Sequence, residues 1–203
     1  MLIAAAKVLP RDGHPAFHLA DFIVLALHTG CRSQELLGLE WDRVDLHNNL
    51  IQLEAKHTKS GKGRSVPINK DARAALLNRA RYRATHCPDS PWVFAHSNPR
   101  WQGQRIHSVK KAFAAACKRA QIDNCSPHTL RHTCASWLVM EARPLIEVRD
   151  ILGHSTVKMT ERYAHLAPDH LRNAVQSIEN RSHSGHTRLT SIDTDESREV
   201  VSR

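Results

Sequence analysis

Apolar residues recur at helical spacing in short stretches that prolines open and glycines close, and this punctuation confines the chain to a set of short helices. Leu19, Phe22, Ile23, Ala26 and Leu27 mark a helix from Phe17 to Thr29 that Gly30 ends. Ser33 then caps a short helix through Leu39, and Lys70 to Ala84 and Ile106 to Gln121 read as two more. Pro127 opens a helix to about Met140, with Leu130, Cys134, Trp137 and Leu138 as its buried stripe and His128, Arg131 and His132 in a different sector. Pro144 starts a helix to Leu152, Gly153 stops it, and Ser155 caps another through Tyr163. Pro168 leads into a last helix to about Ile178.

One β-element interrupts this pattern. Leu50–Leu53 and Ser65–Ile68 read as strands joined across Lys59-Ser60-Gly61-Lys62-Gly63-Arg64, a basic turn punctuated by glycine. Trp92–Phe94 reads as a stray strand, and Ala95–Arg105 as a loop. The fold class expected is therefore mainly α with a small antiparallel β-sheet or hairpin. Residues 1–16 form a short irregular lead-in holding Pro10, Gly13 and Pro15; residues 17–180 form one domain. Residues 181–203, rich in Ser, Thr and charge, have little to bury and are expected to be disordered.

Composition narrows the function classes. The chain has 203 residues, enough for one well-buried core, and Lys plus Arg exceed Asp plus Glu by 29 to 20, a net charge of +9 that favours a polyanionic partner. No apolar run approaches the ~18 residues a membrane span needs, and Met1–Ala6 is too short for a signal peptide, so an intracellular, cytoplasmic protein without a membrane partner is expected. The five cysteines are odd in number and never spaced as C-x-x-C, which suggests neither a disulfide framework nor a zinc ribbon.

Four local clusters carry possible chemistry. Arg32 lies just past Gly30 and three residues before Glu35, so the carboxylate can brace the guanidinium, although a surface ion pair is the plainer reading. Lys59 sits in the basic turn, where a mobile hairpin can lower an ammonium into a groove; a solvated edge is the alternative. His128 and Arg131 project from a helix start, where free N–H groups already favour an anion. His128 and His132 also have the i, i+4 spacing of a zinc pair, but the run H-T-L-R-H lacks the Glu of a metalloprotease helix and sets Arg131 beside the ion. Tyr163 follows Leu152-Gly153-His154 at nine residues, and a phenol of ordinary pKa ~10 needs a base and nearby cations to act as a nucleophile. Tyr82, between Arg81 and Arg83, reads as structural.

Taken in order, these clusters resemble the active-site series of the tyrosine recombinases, which include phage integrases and bacterial chromosome-dimer resolvases. T-G-C-R-S-Q-E-L-L-G-L-E-W-D-R-V is similar to that family's first Arg box, and K-S-G-K-G-R-S-V-P-I to its Lys hairpin. H-T-L-R-H-T, then L-G-H and R-Y-A-H-L, are similar to its second box, so the resemblance runs from about Phe17 to Ile178. It implies the catalytic-domain fold of those enzymes and site-specific DNA recombination, integration or excision, through a 3′-phosphotyrosyl intermediate. Arg32 and Arg131 would hold the scissile phosphate, Lys59 would serve as general acid, His128 and His154 would assist, Tyr163 would be the nucleophile, and Glu35 would orient Arg32. No metal or other cofactor is implied; the partners are double-stranded DNA and further copies of the chain, four in a synapse. Full-length relatives carry an N-terminal DNA-clamp domain, for which the lead-in leaves no room, so a non-catalytic DNA-binding remnant is the alternative reading. A type IB topoisomerase would use a similar residue set, and L-G-H-S-T-V-K-M-T-E-R-Y favours the integrase side.

Overall fold

The computed structural model describes residues 1–7, 17–54, 63–167, 175–176 and 178. The chain divides into a unit from Met1 to Pro168 and a second from Asp169 to Arg203. In the second unit the described residues are helical. The expected tail at 181–203 lies outside the described residues, as do Pro10, Gly13 and Pro15.

The first unit is helical around one long buried helix. Helices α1 (Leu2–Ala6), α2 (Phe17–Thr29) and α3 (Ser33–Leu37) precede the sheet, and α4 (Lys70–His86), α5 (Lys110–Arg119), α6 (Pro127–Met140), α7 (Leu145–Leu152) and α8 (Lys158–Glu161) follow it. In α2, Leu19, Phe22, Ile23, Leu25 and Ala26 are all buried, so the helix is wrapped on several sides, and it packs against α1, α3, α4 and α6. Phe22 meets Phe94 edge to face with centroids 5.8 Å apart. The start of the chain is not wholly irregular: α1 packs on α2 and α5, with Ala6 fully buried in the main core.

The sheet has three antiparallel strands, β1 (Val44–Asp45), β2 (Leu50–Leu53) and β3 (Arg64–Pro67), in that spatial order. Ile51 pairs with Val66 and both are buried, while Gln52 and its partner Ser65 are exposed, the alternation of a sheet with one face on a core. β1 was not apparent from the sequence because two residues carry no periodicity. The stretch Trp92–Phe94 forms no strand; it makes an isolated bridge to Glu40, and Ile106 N–H donates to the Phe94 carbonyl at 2.9 Å. That bond is why α5 begins at Lys110 rather than Ile106: the chain before it is already paired.

Further departures have local causes. Arg32, not Ser33, is the N-cap of α3, because the Glu35 carboxylate reaches back to the Arg32 N–H. Ser155 does not cap α8; its hydroxyl turns to the Met159 sulfur, α8 starts after Val157, and it ends at Glu161, before Tyr163. The buried stripe of α6 is Leu130, Arg131, Cys134, Ala135 and Val139, whereas Trp137 is 46% exposed and leans on the His28 ring. Arg131 thus belongs to the buried stripe instead of a separate sector, because the carbonyl of Gly30 accepts a hydrogen bond from it there.

Candidate active site

The starts of α3 and α6 and the turns after α7 and α8 build a shared cavity. Gly30 closes α2 with φ +62°, and a Cβ there would stand 2.6 Å from Leu152 Cδ2 and 3.2 Å from the Cys134 sulfur. Only glycine therefore lets the α2–α3 turn approach α6 and α7 closely enough to deliver Arg32. Glu35, 2% exposed, then holds Arg32 twice: Oε2 accepts from the Arg32 N–H and Oε1 from Nη1, both at 2.8 Å.

The same carboxylate also holds Arg64, at the start of β3, with Nη2 to Oε2 at 2.8 Å and Nη1 to Oε1 at 3.2 Å. Burial alone would push the Glu35 carboxyl up, but the hydrogen bonds and charge of Arg64 and Arg32 outweigh it and hold the group below its ordinary value. Arg64 Nε also donates to the Ile151 carbonyl at 3.3 Å, tying the hairpin base to the end of α7. Gly153, at φ +66°, lies so close that a Cβ would stand 2.8 Å from Arg64 Nη1.

On α6, Ser126 and Thr129 form a reciprocal cap, and Pro127 occupies the first turn, where its missing N–H costs nothing. Arg131, 3% exposed, donates from Nη1 to the Gly30 carbonyl at 2.7 Å and so joins α6 to the turn that carries Arg32. Burial and the neighbouring Arg32 lower its pKa to about 10, which leaves it charged at neutral pH. The His128 and His132 rings stand edge to face, 4.6 Å apart between centroids. Among the described residues no group of three His, Cys, Asp or Glu is placed to hold a metal ion.

Tyr163, 7% exposed, turns its hydroxyl to His132 Nδ1 at 2.5 Å. His154 Nδ1 lies 2.9 Å from the Thr160 hydroxyl. Arg32, His128, Arg131, His132, His154, Arg162 and Tyr163 all line one cavity of about 390 Å³ within the one chain. A second groove, about 750 Å³, runs beside it between β3 and α7 and shares Gly153, His154 and Ser155. Burial raises the Tyr163 pKa against the opposing pull of Arg162 and Arg131. Burial, then the arginine charges, bring His154 down to about 4, and His128 also lies below the ordinary value. The histidines are therefore neutral at pH 7 while Arg32, Arg131 and Arg162 are cationic, a cavity suited to an anion with a phenol poised beside it.

The family model described as the phage integrase family matches residues 3–170. The chain belongs to the phage integrase family. It is 32% identical over 170 residues to the integrase of Salmonella phage P22, covering 79% of this chain and 42% of the relative. It is 35% identical over 164 residues to the tyrosine recombinase XerC of Pseudomonas fluorescens, covering 80% of this chain and 53% of the relative. The chain thus spans about half the length of these curated relatives. Among solved structures, the catalytic domain of bacteriophage HP1 integrase superposes with a TM-score of 0.61 at 28% identity, covering 86% of this chain and 88% of that one. The fold is that of the tyrosine recombinase catalytic domain.

Of the residues the sequence singled out for this integrase-family site, the structure brings Arg32, His128, Arg131, His154 and Tyr163 to one cavity and sets Glu35 behind Arg32. Lys59 lies outside the described residues. Three residues went unassigned. Arg64 read as one more charge in a basic turn; its position at the first residue of β3, where a side chain can fold back under the hairpin, was the available signal. His132 read only as half of a zinc pair, because its partner Tyr163 lies 31 residues away. Arg162, next to the tyrosine, carried no separate pattern.

Proposed function

We propose that this chain cuts and rejoins double-stranded DNA at specific sites, as a site-specific recombinase, through a 3′-phosphotyrosyl intermediate on Tyr163. The observation that carries the reading is the convergence of the Tyr163 hydroxyl with Arg32 and Arg131 on one cavity inside a single chain. In-line attack on a phosphodiester gathers negative charge on the non-bridging oxygens. Two guanidinium groups answer that charge with paired N–H donors, where lysines would act only as point charges. Both are prearranged here, Arg32 by Glu35 and Arg131 by the Gly30 carbonyl, so little reorganisation is spent at the moment of reaction.

In this reading Tyr163 attacks phosphorus and the bond to the 5′ oxygen breaks. Lys59 protonates that leaving oxygen, and His128 and His154 assist at the phosphate. The phosphotyrosyl bond keeps the free energy of the phosphodiester, so a partner strand's 5′-hydroxyl reverses the step without a nucleotide or metal cofactor. Exchange between duplexes requires several protomers, four in a synapse, working on DNA in the cytoplasm. Among the described residues no helix is long and apolar enough to cross a membrane.

The test uses the full chain, in chelator at low salt, with a pool of nicked duplexes whose central region is randomised, read on a denaturing gel. Wild type yields a protein–DNA adduct whose sequences identify the site, and Tyr163→Phe yields none. DNA binding without adduct in wild type would instead leave a binding module.

A further inference from the structure

We propose that His132, rather than His128, takes the proton from Tyr163 when the tyrosine attacks, an inference that rests on the DNA-cleaving reading above. The geometry is direct. His132 Nδ1 lies 2.5 Å from the Tyr163 hydroxyl, and among the described residues this is the hydrogen bond that hydroxyl makes. His128 stands edge-on to His132, and among the described residues it makes no hydrogen bond to the Tyr163 hydroxyl. A phenol is a stronger acid than a neutral imidazole N–H, so the hydrogen lies on oxygen and Nδ1 accepts, with the ring's own hydrogen on Nε2.

The surroundings keep His132 in the accepting form. His128 and Arg131 face it from α6, and Arg162 and Tyr163 face it from the turn after α8, while His154 approaches from the turn after α7. Burial first, then the charges of His128, Arg162 and Arg131, hold the ring's pKa below its ordinary value. Such a neighbourhood opposes an imidazolium, so in the empty site the proton stays on the phenol, whose own pKa burial has raised. A phosphodiester entering between Arg131 and Arg162 brings a negative charge that offsets those cations and raises the proton affinity of His132. The base is thereby switched on by the substrate, which protects the buried tyrosine from reacting when DNA is absent.

The step balances. The O–H bond of Tyr163 breaks as an N–H bond forms at His132 Nδ1, and the freed oxygen pair makes the new O–P bond. The P–O5′ pair leaves with the 5′ oxygen, which is protonated separately. On rejoining, the imidazolium returns its proton to the departing phenolate.

The experiment compares wild type, His132→Asn, His132→Ala and Tyr163→Phe for the rate of adduct formation on the nicked pool across roughly pH 5 to 9. Asn places a hydrogen-bond acceptor near the position of Nδ1 but cannot take up a proton. The proposal expects H132N to be slowed about 10²-fold or more at neutral pH, as much as H132A. Wild type then shows a flat rate that falls only on the acid side, whereas H132N climbs about tenfold per pH unit as hydroxide replaces the lost base. If H132N keeps the wild-type rate and profile, or restores what H132A loses, the ring only positions the tyrosine and the proposal is overturned. A wild-type chain that binds the pool without forming adduct overturns the reading of the site, and this inference with it. Where the variants do not fold, ¹⁵N-imidazole spectra of the intact chain decide: an unprotonated Nδ1 that Tyr163→Phe perturbs supports the proposal, and an Nδ1 carrying hydrogen overturns it.

Discussion

Arg32 and Glu35 stand on the main core, into which α2, α4, α5 and the sheet all send buried side chains, whereas Tyr163 stands on a small separate cluster of Ala135, Val139, Val148 and Leu152. The Arg32 side is also cross-linked by charge, with one buried carboxylate gripping two guanidiniums. The side that carries Tyr163 has the His132 contact and the His154–Thr160 bond. The proposed nucleophile is thus carried by the smaller buried cluster, while Arg32, proposed to hold the phosphate, is carried next to the larger one. Local opening draws on the elements with the fewest buried contacts, so the two sides should differ in stability as well as in chemistry.

The bond from Arg131 to the Gly30 carbonyl joins the two sides, as does that from Arg64 to the Ile151 carbonyl, and loss of the Arg131 bond should give the largest effect. Arg131→Ala is expected to cut the rate of adduct formation on the order of 10³-fold, measured on the nicked duplex pool. Arg131→Lys should recover only a small part, since the charge returns without the paired donors. A rate near wild type in either variant would mean that the join is structural and that Arg32 alone answers the phosphate.

Glu35→Gln tests the charged side. It leaves Arg32 and Arg64 against a neutral amide, and breaking a buried pair of this kind costs about 3 kcal/mol, read from urea denaturation. Because the Glu35 carboxyl is held below its ordinary value, the stability it contributes is complete above the ordinary carboxylate range. It fades as pH falls through the depressed value. Wild type should therefore lose stability on the acid side where Glu35→Gln shows a flatter profile; parallel profiles would assign the acid limb to other groups.

Leu152→Ala sharpens the contrast on the other side. Leu152 is fully buried in the small cluster and touches the Gly30 turn, so its truncation should cost about 2–3 kcal/mol, mainly as local opening. Hydrogen exchange is the measurement: amides of α7 and α8 should exchange before those of α2 in wild type, and the gap should widen in the variant. Equal protection would mean that the two sides open together. The smallest effect belongs to Trp137→Ser, within about 0.5 kcal/mol, because the ring is already 46% exposed.

The misplaced Trp137 also shows where periodicity stops being informative. Its spacing from Leu130 and Cys134 was that of a buried stripe, but a buried arginine took the sector beside them instead, and no pattern of apolar residues announces a guanidinium whose acceptor is a carbonyl 101 residues away. The helices themselves were legible because proline, glycine and apolar spacing act through local backbone geometry. α6 from Pro127 to Met140 and the stop at Gly153 lie where those signals put them. Where a tertiary bond competed with propensity, as at Ile106, the boundary moved.

By itself the sequence determined the helical class and the hairpin, since these depend on composition and short spacings, and its resemblance to a known family supplied the candidate site residues in their order. The tertiary structure alone decided how they meet: that Glu35 serves Arg64 as well as Arg32, that Arg131 is buried against the Gly30 turn, and that the Tyr163 hydroxyl belongs to His132. Each of these is a contact between segments distant in the chain, fixed by the packing of α2 against α6 and of α6 against α7. Spacing along one helix shows which residues share a face, but what that face meets is settled only when the core closes.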